Sequence, residues 1–271
     1  MRALVTGGSY GIGGATCLRL AKDALARGEP AKIVLTATGA RPDLAELVAE
    51  LKALGADALG VTGDLADRDF PARLVREAVT FCGGLDALVC NAGARYKGAL
   101  LEMPIDDWDR VFAVNARATW LLCRTAHPAL KASALNKSGG AIVVVTSIGG
   151  IHPLPNYGPY STTKAALVML VEQMANEWAR DGIRVNGVAP GSTITREKAK
   201  VQVDAQTAAM RAAALPMGRV SEPSEQAAAI AFLLSRDASY INGHNLVVDG
   251  AFGQSVMAFS AGSHSNVIGR K

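Results

Sequence analysis

Short apolar runs alternate with longer segments of helical periodicity along almost the whole chain. The first run, Met1 to Val5, leads into glycines and then into a helical pattern from Gly14 to Ala26. The later predicted strands are Ile33–Ala37, Ala58–Thr62, Ala87–Cys90, Ile142–Thr146, Arg184–Ala189 and Leu246–Val248. The helical patterns between them are Pro42–Leu54, Arg68–Phe81, Asp107–Leu130, Tyr160–Arg180 and Glu222–Leu234. This alternation predicts an α/β fold, a doubly wound parallel sheet with helices on both faces.

Polar residues and glycines directly follow several of the predicted strands. In open parallel sheets ligands bind beyond the carboxyl ends of the strands, and these ends share one edge. We therefore expect the following residues to line a single site: Thr6-Gly7, Asp64, Asn91-Ala92-Gly93, Ser147 and Pro190-Gly191.

The glycines after the first strand have the spacing Gly7-x-x-x-Gly11-x-Gly13. Glycine lets the backbone approach a pyrophosphate closely, and the start of the following helix offers unpaired N–H groups. A strand, this turn and a helix together favour a dinucleotide-binding site over an ordinary glycine-rich turn.

A phenol and an ammonium lie four residues apart at Tyr160 and Lys164. In a helix these positions share a face, so both side chains can act on one site. A lysine charge would lower the tyrosine pKa, and a phenol tuned in this way is suited to general acid–base chemistry. Taken alone, the pair is equally compatible with a core tyrosine and a surface lysine.

Composition excludes several other classes of function. The 271 residues are 49% hydrophobic and 19% charged, with a net charge of +4, which suits one domain with a large core. The basic residues are scattered, which disfavours nucleic-acid binding. We predict a cytoplasmic protein, because neither a signal peptide nor a membrane-length apolar stretch is visible. The histidines have no metal-ligand spacing, and we expect buried, reduced thiols at Cys17, Cys82, Cys90 and Cys123.

In combination, the motifs resemble the short-chain dehydrogenase/reductase family of the classical type. The matching residues are Thr6-Gly7-x-x-x-Gly11-Ile12-Gly13, Asp64-Leu65, Asn91-Ala92-Gly93, Asn115, Ser147, Tyr160-x-x-x-Lys164, Pro190-Gly191 and Thr195. The resemblance runs from Met1 to about Gly253. It implies a Rossmann-type domain over residues 1–253 and a C-terminal tail over residues 254–271.

The resemblance implies hydride transfer between a nicotinamide cofactor and a carbonyl or secondary alcohol. Tyr160 would exchange a proton with the substrate oxygen, Ser147 would hold that oxygen, and Lys164 would lower the tyrosine pKa and bond the ribose. Asn115 would complete a proton relay, although an amide within an apolar helix is either a satisfied core residue or a bend that holds a water. A nucleotide-binding regulator that has kept the fold without turnover is the alternative.

The cofactor residues follow from the same resemblance, with Asp64 accepting from the adenine amine. The full set is Gly7, Ser9, Tyr10, Gly11, Ile12, Gly13, Thr38, Arg41, Asp64, Leu65, Asn91, Ala92, Gly93, Tyr160, Lys164, Pro190, Gly191, Thr193 and Thr195. Cys90 is a departure, because the family often carries a second asparagine there.

The end of the second strand favours NADP over NAD, which remains the alternative. No acid follows Ala37 until Asp43, and Arg41 is placed to pair with a 2′-phosphate. Against this, Tyr10 stands where many NADP-dependent relatives carry a basic residue.

The substrate pocket is expected to be built by three segments, Gly149–Asn156, Ala94–Gly98 and Ser192–Arg219, with Gly149, His152 and Tyr157 as candidate contacts. Residues 192–219 form either an exposed helical connection or, as the family suggests, a mobile lid over the substrate. The helices Asp107–Leu130 and Tyr160–Arg180 are more apolar than one buried face requires. Together with the resemblance, this predicts a homotetramer, or otherwise a homodimer.

Overall fold

The computed structural model describes residues 1–39, 42–135, 139–194, 212 and 215–255. In these ranges the strands are β1 (Arg2–Val5), β2 (Lys32–Ala37), β3 (Asp57–Thr62), β4 (Ala87–Cys90), β5 (Ala141–Val145), β6 (Arg184–Pro190) and β7 (Asn245–Val248). The helices are α1 (Gly11–Ala26), α2 (Pro42–Ala53), α3 (Phe70–Cys82), α4 (Ile105–Phe112), α5 (Ala118–Lys131), α6 (Gly158–Trp178) and α7 (Pro223–Leu234).

The strands form one parallel sheet in the order β3-β2-β1-β4-β5-β6-β7. The chain first builds outwards from β1 through β2 to β3 and then returns to continue from β4 on the other side of β1. This reversal opens a crevice at the carboxyl ends of β1 and β4, where such sheets bind nucleotides. The predicted fold, a single Rossmann-type α/β domain, is confirmed.

Two hydrophobic clusters sandwich the sheet, because alternate side chains of each buried strand point to opposite faces. In β1, Ala3 and Val5 pack with α1, α2 and α7 on one face, while Leu4 packs with α3, α5 and α6 on the other. All three side chains are fully buried. The apolar runs that lack polar alternation are therefore strands covered on both faces.

The predicted helix Asp107–Leu130 lies within a helical stretch that runs without interruption from Ile105 to Lys131 and contains a π-helical turn. The structure divides this region into α4, a π-helical turn over Ala113–Arg117, and α5. The Ala118 N–H bonds to the Ala113 carbonyl, one residue further back than in an α-helix. The Thr119 hydroxyl donates to the Asn115 carbonyl at 2.7 Å and so competes for the helical acceptor.

Helix α6 begins at Gly158, two residues before the predicted start at Tyr160. Pro159 explains the difference, because proline suits the first turn of a helix, where its missing N–H would be unpaired in any case. Tyr160 therefore lies in the first turn, and Lys164 follows one turn later on the same face.

Some of the predicted features lie outside the described residues. These are Arg41, Thr195, most of the predicted lid over residues 192–219 and nearly all of the tail over 254–271. Within the described ranges, no helix is both long and apolar enough to span a bilayer.

Candidate active site

The turn between β1 and α1 brings the backbone close to its neighbours. Gly7 and Gly11 have φ angles of 60° and 58°, in the left-handed region that favours glycine. A Cβ atom on Gly13 would lie only 2.2 Å from the Gly7 carbonyl oxygen. The first bond within α1 runs from the Gly14 N–H to the Tyr10 carbonyl at 3.1 Å. The N–H groups at the helix start are therefore not used by the helix and suit a phosphate.

The asparagine after β4 holds this turn in place. The Asn91 side-chain amide donates to the carbonyls of Thr6 and Gly7 at 3.0 and 2.9 Å. In return, the Thr6 hydroxyl accepts from the N–H groups of Asn91 and Ala92 at 3.0 and 3.1 Å. These bonds lock the β1 turn to the end of β4 across the point where the chain reverses.

A cleft of about 410 Å³, here called the nucleotide cleft, opens above these strand ends. Its lining residues are Gly7, Ser9, Tyr10, Gly11, Ile12, Ala37, Thr38, Asp64, Leu65, Asn91, Ala92, Gly93, Ala94, Arg110 and Val114. Eleven of the nineteen residues predicted from the sequence to bind cofactor lie on this lining. Gly13 is not on this lining, but it lies close to two residues that are, because a Cβ there would lie 2.2 Å from the Gly7 carbonyl oxygen and 2.5 Å from the Asn91 side-chain nitrogen.

Asp64 has both carboxylate oxygens engaged. Oδ1 accepts from the Ala66 N–H at 2.9 Å, and Oδ2 pairs with the Arg110 guanidinium at 3.0 Å. These interactions, led by the backbone bond, outweigh burial and lower the pKa of Asp64. Arg110 therefore becomes part of the cleft through a contact between the loop after β3 and α4, which the sequence did not predict.

Ser147 and Tyr160 meet at the carboxyl end of β5. Ser147 is buried, and its hydroxyl accepts from the Gly149 N–H at 2.9 Å. The 3₁₀ turn over Ile148–Gly150 approaches α6 closely, because a Cβ on Gly150 would lie 2.6 Å from the Lys164 carbonyl carbon. This packing brings the serine hydroxyl to the phenol of Tyr160, with which it interacts.

The pKa of Tyr160 is raised, and the predicted lowering by Lys164 is wrong for this structure. Burial is the largest cause, and neither the Ser147 hydroxyl nor the positive charge of Arg95 offsets it. The Lys164 ammonium is drawn instead to the Val145 carbonyl at 2.6 Å and lies 5.6 Å from the centre of the Tyr160 ring. Burial therefore favours the protonated form of the phenol.

Lys164 is almost fully buried, as the apolar residues after it predicted, and burial lowers its pKa to about 8. Asn115 lies close by: a Cβ on Gly93 would be 3.8 Å from the lysine Nζ and 3.5 Å from the asparagine Oδ1. Lys164, Asn115 and Gly93 therefore meet where the segment after β4 and the end of β5 approach α6.

The Asn115 side chain is held on three sides. Its Oδ1 accepts from the Ala94 N–H at 2.7 Å, and its amide donates to the Ala94 carbonyl and the Thr163 hydroxyl, both at 2.9 Å. The sequence left two interpretations of Asn115 open, a satisfied core amide or a helix bend that holds a water. The amide is satisfied, and the helix changes its geometry here. The role in a proton relay stays a prediction.

The remaining candidates lie around this centre. Gly149 borders Ser147, and the ring of Tyr157 lies 6.4 Å from that of Tyr160 in an edge-to-face arrangement. The imidazole of His152 instead packs beside Gly253. Pro190 ends β6, Gly191 and Thr193 follow it, and none of the three lines the nucleotide cleft as described.

Comparisons with known proteins agree with this arrangement. A family model described as enoyl-(acyl carrier protein) reductase matches residues 8–252. The chain is 38% identical to glucose 1-dehydrogenase of Gluconobacter oxydans, over 92% of this chain and 90% of that protein. It is 34% identical to dehydrogenase/reductase SDR family member 4 of Bos taurus, over 92% and 85% of the two chains.

Solved structures show the same relationship. An acetoin dehydrogenase from Salmonella typhimurium superposes with a TM-score of 0.82 at 30% identity, covering 95% of this chain and 98% of that one. A short-chain dehydrogenase from Burkholderia cenocepacia in complex with NADP has a TM-score of 0.82 at 32% identity, with 92% and 96% coverage. The chain belongs to the short-chain dehydrogenase/reductase family. It is an oxidoreductase of a family that uses NAD(P).

Several residues of this family member escaped the sequence analysis as parts of the site. Arg110 and Val114 line the nucleotide cleft, and Thr163 bonds both Asn115 and the Tyr160 carbonyl. Only Thr163 carried a local signal, since its hydroxyl directly precedes Lys164 in the motif. The others enter the site through tertiary contacts.

We expect Lys164→Met to change the pH dependence of stability. The unfolded lysine keeps its proton to about pH 10.4, whereas the folded one loses it near pH 8. The unfolded state therefore binds more protons between these values, and the wild-type free energy of unfolding gains up to about 3 kcal/mol from this group as the pH rises. Methionine lacks this contribution.

Urea unfolding near pH 7 and near pH 10 would measure the effect. The stability of Lys164→Met relative to wild type should fall as the pH rises, because only the wild type gains. A relative stability that is the same at both pH values would contradict the depressed lysine pKa. Turnover and cofactor affinity of the variant should both fall if Lys164 also binds the ribose.

Proposed function

We propose that this protein catalyses hydride transfer between NAD(P) and a carbonyl or secondary alcohol carbon, with Tyr160 as the proton donor or acceptor. The observation that carries the proposal is the meeting of Ser147, Tyr160 and Lys164 beside the nucleotide cleft. When bound, the nicotinamide supplies or accepts the hydride. The close backbone packing at Gly7 and Gly13 and the start of α1 suit a pyrophosphate.

The side chains divide the work at the substrate oxygen. Ser147, fixed by the Gly149 N–H, binds the carbonyl oxygen, and the Tyr160 hydroxyl donates its proton to that oxygen. Burial supports this role, because it keeps Tyr160 in the acid form that reduction requires. In this proposal Lys164 binds the ribose of the cofactor, and Asn115 takes part in the proton relay that resupplies Tyr160.

A screen of neutral ketones and secondary alcohols with both cofactors, followed by nicotinamide absorbance, tests the proposal. We expect reduction of at least one ketone class with a linear dependence on enzyme concentration. Tight cofactor binding without turnover across the panel would instead favour the regulator or scaffold function.

NADP is the proposed preferred cofactor. The described lining at the end of β2 consists of Ala37 and Thr38, so no carboxylate stands there to repel a 2′-phosphate. Arg41, outside the described residues, remains the proposed phosphate ligand. The lid over 192–219, with Thr193 and Thr195 as cofactor contacts, and a cytoplasmic location likewise remain predictions.

We expect Ala37→Asp to weaken NADPH binding, because the new carboxylate would repel the 2′-phosphate, and to improve NADH binding through the ribose hydroxyls. Arg41→Ala should weaken NADPH binding by about 1.5–3 kcal/mol with little effect on NADH. Cofactor titrations at low and high salt measure both variants, and the loss should shrink as salt screens an exposed pair. A wild type that prefers NADH would contradict this assignment.

A homotetramer, or otherwise a homodimer, is the proposed assembly. Helices α5 and α6 retain apolar side chains on the surface of the single chain, with Trp120 43% and Met169 60% exposed. We expect Met169→Lys to shift the particle towards smaller species in light scattering at micromolar concentration, whereas Leu54→Lys at the end of α2 should not. A monomeric wild type would contradict the proposal.

A further inference from the structure

Thr163 connects the first turn of α6 to the π-helical turn between α4 and α5. Its side chain is fully buried. The hydroxyl donates to the Tyr160 carbonyl at 2.8 Å and accepts from the Asn115 side-chain amide at 2.9 Å. A hydroxyl has one proton to donate, and the bond to the carbonyl directs that proton away and leaves a lone pair for the amide. One side chain thus ties the backbone of the proposed proton donor to Asn115.

The Asn115 side chain carries this connection on to the nucleotide cleft. Its amide also donates to the Ala94 carbonyl at 2.9 Å, and its Oδ1 accepts from the Ala94 N–H at 2.7 Å. Ala94 and the preceding Gly93 line the nucleotide cleft. A series of hydrogen bonds therefore runs from the first turn of α6, through Thr163 and Asn115, to the wall of the cleft.

The contact between Thr163 and Asn115 cannot be lost without a response from the surrounding structure. Asn115 is fully buried, so removal of the threonine hydroxyl would leave one of its amide N–H groups without this acceptor and away from water. An unpaired buried donor is unfavourable, and the amide or the turn that carries it would move to regain a partner. Reaction rates depend steeply on placement, since an error of about 1 Å can cost about 100-fold.

We propose that Thr163 is a positioning residue, which acts through Asn115 to hold Tyr160 in the correct place relative to the nucleotide cleft. Reduction of a carbonyl delivers a proton to the oxygen and a hydride to the carbon of the same bond, so the phenol and the cofactor must be placed relative to each other. The bond between Thr163 and Asn115 joins the helix that carries the phenol to the wall of the cleft. This inference rests on the proposed function, since it assigns a role within the same reaction.

Thr163→Val keeps the branched shape and removes the hydroxyl, and it should lower kcat for carbonyl reduction about 10- to 100-fold. Cofactor affinity, measured by titration, should stay within about threefold of wild type, because the turn between β1 and α1 is not altered. Thr163→Ser restores a hydroxyl and should regain most of the lost rate. Thr163→Ala provides the same comparison if the valine variant does not fold.

Thr162→Val is the matched control for these variants. Thr162 lies in the same turn of α6, but it is exposed and its hydroxyl bonds the Gly158 and Pro159 carbonyls of its own helix, at 2.8 and 3.1 Å. The control therefore removes a hydroxyl bond within the turn without removing the bond to Asn115. Its kcat should stay within about threefold of wild type.

Two further measurements separate action through Asn115 from a general loss of packing. In an Asn115→Ala background, Thr163→Val should change kcat by less than about threefold, because the bond that it removes is already absent. In the protein without cofactor, amide hydrogen exchange over residues 93–98 should be faster in Thr163→Val than in Thr162→Val, because the Ala94 backbone is held by the loosened amide.

Three results would overturn the inference and leave the proposed function standing, since wild type would still turn over. These are equal kcat values for Thr163→Val and Thr162→Val, a loss in Thr163→Ser as large as in Thr163→Val, and an undiminished effect of Thr163→Val in the Asn115→Ala background. Equal hydrogen exchange over residues 93–98 in the two valine variants would also contradict the connection to the cleft. A wild type that reduces no carbonyl compound would overturn both proposals.

Discussion

Tyr160→Phe is expected to lower kcat by a factor of about 10²–10⁴ for both carbonyl reduction and alcohol oxidation, the range for loss of a general acid or base. The substitution removes one hydroxyl and keeps the ring, so the packing of Tyr160 against Tyr157 and the start of α6 should survive. Cofactor affinity should remain nearly unchanged, because it comes mainly from the turn between β1 and α1. Single-turnover rates and cofactor titration would measure the two effects separately.

Tyr157→Phe is the matched control for this variant. It also removes a phenol hydroxyl, 6.4 Å away between ring centres, but from a side chain that is not proposed to transfer the proton. Any effect should therefore fall mainly on KM. If Tyr160→Phe keeps near-normal turnover, or if the two variants lose kcat equally, the proton-transfer role of Tyr160 is wrong.

The pH profile follows from the raised pKa of Tyr160. Alcohol oxidation requires the phenolate, so kcat/KM in that direction should keep rising with pH through the alkaline range. Reduction requires the phenol and should be retained until the pH approaches the same pKa. If the pKa of Tyr160 were lowered, the rise of oxidation and the loss of reduction would both occur nearer neutral pH. Steady-state pH profiles of wild type therefore distinguish a raised from a lowered tyrosine pKa.

The position of the site was predictable because a parallel sheet leaves few alternatives. Strands that run in one direction bring their carboxyl ends to one edge, so Gly7, Asn91 and Ser147 had to share it once their strands were recognised. The i,i+4 relation of Tyr160 and Lys164 was predictable for a similar reason, since it depends only on a local helix. Periodicity and order along the chain are sufficient for both inferences.

Tertiary contacts decided what the sequence left open. The π-helical turn depends on Thr119 and on bonds from Asn115 to Ala94 and Thr163, the latter 48 residues away. The direction of the Tyr160 pKa shift depends on burial, which a motif does not report. Arg110 carries no sequence signature, and its place in the cleft depends on its contact with Asp64.

Gly13→Ala should cause the largest loss of cofactor binding among small substitutions in the turn. The added Cβ would lie 2.2 Å from the Gly7 carbonyl oxygen and 2.5 Å from the Asn91 side-chain nitrogen, both too short for a real contact. Relief requires a movement of backbone, because the carbonyl is itself held by Asn91 at 2.9 Å. Overpacking of this kind costs about 1–3 kcal/mol or more, and displacement of the turn should weaken both cofactors at least tenfold.

Gly14→Ala offers a control one residue away on the same helix. There the nearest atom to the new Cβ would be Leu47 Cδ2 at 3.4 Å, an ordinary contact, and alanine favours the helix over glycine by about 1 kcal/mol. This variant should bind both cofactors about as well as wild type and unfold at a slightly higher temperature. Cofactor titration and thermal unfolding of the two variants would decide the question. If both bind equally well, the close approach at Gly13 does not shape the phosphate site, because the same methyl group is then tolerated where the structure leaves no space for it.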